Sequence, residues 1–212
     1  NFEGRDERLL PWPRTKEAVL EEMAVYYSVI DHIDKQIGRI IDQLRSDGRL
    51  KNTCVIFTSD HGLALGSHGL MGKQNMYEHT IRVPLILAGP GIPNGKRSNA
   101  LCYLRDLYPT ICDLVGIEIP LQVEGKSLKP LLLGQEDGIY TEVYGYFRNK
   151  QRMVRNERFK LIHYPHLERY QLFDLSEDPK ELKDLSEDSA HKATLARLRG
   201  KLKEWFRDRQ ER

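Results

Sequence analysis

Between Thr15 and Ser46 the apolar residues Met23, Tyr26, Tyr27, Ile30, Ile33, Ile37, Ile40, Ile41 and Leu44 recur at helical spacing. Thr15 can cap the start, just after Pro11 and Pro13, and Ser46, Asp47 and Gly48 stop the pattern. A long helix with one apolar face must lean on something, and the next segment supplies a candidate. Thr53 to Ser59 is a continuous apolar run of strand length, the pattern of a strand covered on both faces. A helix leading into such a strand predicts a parallel α/β sheet. A second buried strand is expected at Pro84 to Ala88, closed by GPGIPNG, and a further helix from about Leu107 to Val115, with Pro109 tolerated in its first turn.

From Gly138 onward the pattern changes. Ile139 to Tyr146, Arg152 to Arg155, Phe159 to Tyr164 and Tyr170 to Leu175 are short runs rich in aromatic and β-branched residues, which predicts a small antiparallel sheet. A last helix carries Leu195, Leu198, Leu202, Trp205 and Phe206 in one stripe and packs on that sheet. Two domains are therefore expected, 1–137 and 138–212. The other face of the last helix is basic, but Glu204, Asp208 and Glu211 interrupt it, so it reads as a solvated face and no nucleic acid is expected as a partner. The 33 basic and 31 acidic residues leave a net charge of +2, too little for an overall field that would draw a polyanion. No apolar run approaches the roughly 20 residues that span a bilayer, and no membrane partner is expected. Cys54, Cys102 and Cys112 lack CxxC spacing and are odd in number, which fits neither a zinc ribbon nor a fully paired disulfide framework. The opening NFEGRDERLLPWPR has no initiator methionine and no apolar leader, and reads as the middle of a longer chain.

The segment CVIFTSDHGLALGSHGLMGK, Cys54 to Lys73, concentrates polar chemistry that a packed core does not need. In open α/β sheets ligands lie beyond the carboxyl ends of strands, where Asp60 and His61 stand. With Gly62 turning the chain, the Asp60 carboxylate and a neutral His61 imidazole can share a divalent cation. Asp60 capping a turn beside a surface histidine is the plainer alternative. Glycines 62, 66, 69 and 72 would let the backbone approach a bound group, and Lys73 offers a mobile point charge for an oxyanion. A P-loop is excluded, because five residues separate Gly66 from Gly72 and Gln74 stands where the hydroxyl is needed. His68 can hydrogen-bond an anion or leaving group. His79, Tyr77, Glu78 and Arg82 read as structural, His32 as packed near the helix stripe, and His163 and His166 stay undecided.

Taken together, FTSDHG, GSHGLMGKQNMYEHTIRVPLILAGPG, DLYPTICDLVGIEIP with EGKSLKPLL, and RFKLI with YQLFDLSEDPKE closely resemble the carboxyl-terminal half of the sulfatase family. The resemblance implies an alkaline-phosphatase-like mixed sheet between helices, here partial, plus a small C-terminal antiparallel sheet with a helix. It implies a sulfuric ester hydrolase with a calcium ion and a formylglycine nucleophile, and sulfate ester as substrate. Asp60 and His61 match the later pair of metal ligands, and Lys73 matches the lysine that contacts sulfate. Many members carry Asn at the position of His61, while a His there resembles other members and related phosphonate and phosphate ester hydrolases. No cysteine here opens a C/S-x-P-x-R motif, so the formylglycine and the earlier acidic ligands are expected in a missing N-terminal half, and this chain alone is expected to be inactive. A non-catalytic binding module with this fold is the alternative. Periplasmic, extracellular or lysosomal placement is implied by the resemblance only.

Overall fold

A computed structural model describes residues 4–210. Its regular elements are α1 (Lys16–Ser46), β1 (Val55–Thr58), α2 (Glu78–Ile81), β2 (Leu85–Ala88), α3 (Leu107–Val115), α4 (Lys129–Leu132), β3 (Val143–Phe147), β4 (Gln151–Arg155), β5 (Phe159–Tyr164), β6 (Arg169–Asp174) and α5 (Lys192–Gln210). They fall into two compact units, one of residues 4–75 and 79–94, the other of 76–78 and 95–210.

In the first unit the Thr15 hydroxyl accepts the Ala18 N–H at 3.3 Å, capping α1 as its sequence asks. None of the helix is fully buried among the described residues, and Tyr27, Ile30, Ile33 and Ile40 of its stripe are exposed. His32 is exposed as well, so its expected place in a packed core is corrected. β1 and β2 pair antiparallel, Val55 opposite Ala88 and Thr58 opposite Leu85, against the expectation of a parallel pair. An apolar run carries no strand direction, and a parallel pair needs a crossover, usually helical, where this chain has a looped segment and the single turn of α2. The opposed residues Phe57 and Ile86 are exposed, so β1 is not covered on both faces as expected.

The second unit holds its own core. β3 to β6 form an antiparallel meander in sequence order. Val154, Leu161, Leu172 and Leu185 pack against Leu198 and Leu202 of α5, and Trp205 stacks on Tyr144 with ring centroids 5.0 Å apart. On this unit Lys160 is wholly buried, its Nζ 2.8 Å from Glu78 Oε1 and 2.6 Å from Glu181 Oε1. Glu78 also takes Arg155 Nε at 3.1 Å. Burial pushes the Glu181 carboxyl up, against the pull of Lys160. The buried Asp106 accepts the N–H groups of Tyr103 and Lys126 and the Tyr140 hydroxyl at 2.7 to 2.9 Å, tying α3 to the chain that enters β3.

Candidate active site

The polar cluster of the first unit is built on a turn only glycine can make. After β1, the Ser59 hydroxyl donates to the His61 carbonyl at 2.8 Å and the Gly62 N–H donates to the Thr80 carbonyl at 2.8 Å. A Cβ on Gly62 would stand 2.0 Å from the His79 carbonyl oxygen, so any other residue would push the turn away and carry Asp60 and His61 with it.

Three of the four sequence-derived site residues come together. Asp60 Oδ1 accepts the His61 N–H at 3.0 Å, and its other oxygen, Oδ2, lies 3.2 Å from His61 Nε2. His61 Nδ1 is 3.1 Å from the Gly62 carbonyl oxygen, and Lys73 Nζ is 2.6 Å from His61 Nε2. A carbonyl can only accept and an ammonium can only donate. The tautomer with its proton on Nδ1 satisfies both of these contacts, its Nε2 lone pair then receiving Lys73. That assignment places the Nε2 lone pair and the Asp60 carboxylate, two acceptors, within 3.2 Å of each other. Such a juxtaposition favours a cation beside both, and the Lys73 ammonium answers it on the His61 side.

Tested against a divalent metal, this donor pair fits in kind but supplies only part of a shell. A hard carboxylate oxygen and one imidazole nitrogen suit a divalent cation, whereas calcium takes about six to eight oxygens. No group of three or more His, Cys, Asp or Glu able to hold a metal occurs among the described residues.

His68 is placed differently. It occupies a left-handed turn at φ 55° and packs on His79, ring centroids 5.6 Å apart. The glycine segment is also not the open cradle its composition predicts. Ala64, Leu70 and Met71 are buried, and the Ala64 and Gly66 N–H groups bond the Gly72 and Leu70 carbonyls as in a hairpin. A Cβ on Gly72 would meet Glu7 Oε1 at 2.8 Å and Gln74 Oε1 at 2.9 Å, so this glycine makes room for protein atoms.

Sequence reasoning missed what fixes Lys73. Glu7 is 4% exposed; its carboxylate accepts the Met71 N–H at 3.0 Å, the Gly72 N–H at 2.8 Å and Arg14 Nη1 at 2.8 Å. Arg14 reaches further, to the Gly69, Glu7 and Leu10 carbonyls. This buried ion pair clamps the peptides immediately before Lys73. Beside it Asp6 accepts Gln74 Nε2 at 2.8 Å and lies 3.9 Å from Lys73 Nζ. Burial pushes the Asp6 carboxyl up, yet hydrogen bonds from Arg5 and Gln74 and the Lys73 charge hold it below its ordinary value. The only signal was the Asp-Glu pair ahead of Arg14, and short-range patterns do not tell that it would close on a loop more than sixty residues away.

The Sulfatase family model matches residues 3–117, and the model for N-sulphoglucosamine sulphohydrolase, C-terminal, matches residues 66–208. The chain is 34% identical over 176 residues to an N-acetylglucosamine-6-O-sulfatase of Bacteroides thetaiotaomicron, covering 77% of this chain and 32% of that protein. Among solved structures it is similar to a 2-O GAG sulfatase, with TM-score 0.82, 30% identity and coverage of 92% of this chain and 44% of the other. It is also similar to the phosphonate monoester hydrolase of Agrobacterium radiobacter, with TM-score 0.79, 29% identity and coverage of 89% and 42%. The chain spans between 32% and 42% of the length of the first curated relatives it matches.

Proposed function

The chain belongs to the sulfatase family, with the family's alkaline-phosphatase-like α/β fold and small C-terminal sheet and helix, and from that membership we propose that the protein carrying it hydrolyses sulfate esters of sugars. In this reading residues 1–137 are the later part of the catalytic domain and 138–212 a C-terminal subdomain. Asp60 and His61 are metal ligands, and Lys73 contacts the sulfate. The observation that carries the reading is the meeting of Asp60 Oδ2 and Lys73 Nζ at His61 Nε2, 3.2 and 2.6 Å away.

A divalent cation, with calcium the family's choice, would polarise sulfuryl oxygens when bound there. The chain's own residues do the positioning. The Asp60 carboxylate is oriented by the His61 N–H, and the His61 ring is turned by the Gly62 carbonyl. Lys73 carries a positive charge to the same point, where it can stabilise negative charge that develops as the ester bond breaks. Glu7 and Arg14 hold the backbone that presents it. His68 is assigned to the substrate side, where an imidazole can donate to a sulfate or leaving-group oxygen.

The nucleophile, a formylglycine, is assigned to polypeptide outside these residues, since no cysteine here opens the required motif. The exposed Tyr27, Ile30, Ile33 and Ile40 of the α1 stripe and the exposed Phe57 and Ile86 are read as the surface against which that further polypeptide packs. On this account the present residues alone do not turn over substrate. The sugar reading follows the N-acetylglucosamine-6-O-sulfatase relative.

Phosphonate or phosphate ester hydrolysis is the second reading, favoured by the similarity to a phosphonate monoester hydrolase. Turnover of matched sulfate, phosphate and phosphonate esters by the full-length protein separates the two. Sulfate should dominate, and Lys73→Ala should lower kcat by about 100- to 1,000-fold. Preferential phosphonate turnover moves the protein to the second reading, and near-normal turnover by Lys73→Ala removes Lys73 from the site. A full-length protein inert toward all three esters would favour a binding module.

A further inference from the structure

The last helix looks evenly mixed in charge when read as a string, but its geometry sorts the charges. With Leu198 and Leu202 buried against the sheet, a turn of about 100° per residue sets Lys192, Arg199 and Lys203, spaced i, i+7 and i+11, along one edge. Arg207 continues that edge and is hydrogen-bonded to Asp208 at 3.4 Å. Glu204 and Asp208 project from the opposite edge with Arg197 and Lys201, where Lys201 pairs with Glu142.

The basic edge extends onto the sheet. Arg152 of β4 lies over the Phe206 ring at 4.3 Å, and Arg199 lies over the Tyr170 ring at 4.4 Å. Tyr170 is also stacked on His163, ring centroids 4.2 Å apart. Among the described residues none of Lys192, Arg199, Lys203 and Arg152 has a carboxylate within 4.0 Å, unlike Lys160, Arg155 and Arg158 of the same unit. The positive character is felt locally: burial and then the charges of Arg152 and Arg199 hold His163 below its ordinary pKa.

We propose that Lys192, Arg199 and Lys203 of α5, with Arg152 of β4, form a docking surface for a linear sulfated polysaccharide. This rests on the sulfated-sugar reading of the catalytic site and uses none of its residues. Arg199 and Lys203 are about 6 Å apart along the helix axis, a spacing that lets separate sulfate groups take separate cations. Arg199 rests over Tyr170, a contact that limits its freedom and leaves less ordering to do when its fork takes an oxyanion. A neighbouring cavity of about 500 Å³ adds polar groups beside the basic edge. Arg199 shares it with Arg169 and Ser186, but also with Glu168, Asp184 and Glu187. Its mixed donors and acceptors match the hydroxyls of a sugar ring, while the cations of the helix edge take the sulfate groups.

Heparin serves as the probe, with the full-length protein in about 0.15 M salt, where only charges within about 8 Å act strongly. Arg199→Glu with Lys203→Glu should weaken heparin binding about tenfold or more and leave turnover of a small sulfate ester unchanged. Lys203→Glu alone, an exposed position, gives the same direction if the double variant melts early. Arg197→Glu makes an equal change of charge on the other edge and should alter binding less than about twofold. Lys73→Ala should do the reverse of the double variant, losing turnover and keeping heparin. Unchanged heparin binding in the edge variants, equal loss from Arg197→Glu, or competition by duplex DNA as strong as by heparin overturns the proposal. Loss of sulfatase turnover alone would fall on the catalytic reading instead.

Discussion

Both α1 and α5 carry an apolar stripe at helical spacing, yet the two end in different surroundings. Leu198 and Leu202 of α5 are buried between the helix and a four-stranded sheet. Among the described residues α1 has none fully buried, its stripe half-covered at Met23, Tyr26, Ile37, Ile41 and Leu44, and β1 and β2 form a two-stranded pair with Phe57 and Ile86 exposed. Periodicity thus tells that a face exists but not what covers it. The unit with the incomplete cover is also the one that carries Asp60, His61 and Lys73. Its local order comes from polar clamps, the Glu7 and Arg14 pair and the Gly62 turn, where the second unit adds a closed apolar core.

The largest effect should come from the second unit's buried cation. Lys160→Ala leaves Glu78 and Glu181 without their ammonium, and breaking a buried pair costs about 3–5 kcal/mol. Denaturant unfolding reads it, and a loss under about 1 kcal/mol would mean that Lys160 is not buried as described. Next comes the contrast between the stripes themselves. Leu198→Ala should cost about 2–5 kcal/mol wherever it is measured. Ile33→Ala should cost less than about 1 kcal/mol in the 212-residue chain and move toward the Leu198 value in the full-length protein. Equal small costs in both settings would break the idea that further polypeptide covers α1.

Glu7→Gln tests the polar clamp. The amide keeps the shape but removes the charge facing Arg14 and the paired N–H groups of Met71 and Gly72, worth about 1.5–3 kcal/mol for bonds to a charged group. The expected signature in full-length enzyme is a lower kcat with unchanged unfolding of the second unit. A variant with unaltered kcat would leave Glu7 a stabilising residue without influence on Lys73.

Local signals explain how much of this was legible. Thr15, the strand run at Val55 and the meander of β3 to β6 follow from caps and short-range alternation, and each is found within a few residues of its expected place. Asp60, His61 and Lys73 were legible as a group because a strand end, a glycine turn and a basic residue lie close in sequence. The direction of β2 and the exposure of α1 were not, because neither is encoded in the pattern of one segment. Glu7 and Arg14 were missed for the same reason, their partners being Met71 and Gly72.

The smallest effect concerns the edge of the second unit and depends on pH. Asp174 Oδ1 and Oδ2 accept Arg158 Nε at 3.1 and 3.0 Å, and Ser176 adds its N–H and hydroxyl. Arg158's hydrogen bonds come first in holding the Asp174 carboxyl down to about 2, with burial opposing and Ser176 assisting. A carboxyl lower in the folded state stabilises fully above its unfolded value, near 3.8, and loses that contribution as pH falls toward about 2. Arg158 is more than half exposed, so salt weakens the interaction. Asp174→Asn should therefore melt below the parent at neutral pH, and the gap should close in acid; an equal gap at both would show that the carboxylate's charge is not what matters. Asp60 provides the contrast in the first unit. Its carboxylate is 81% exposed and faces a second acceptor, His61 Nε2, where Asp174 is ringed by donors. Removing Asp60 should therefore change ligand binding more than melting, because a carboxylate poised against another lone pair is stabilised by the cation it receives, not by the fold around it.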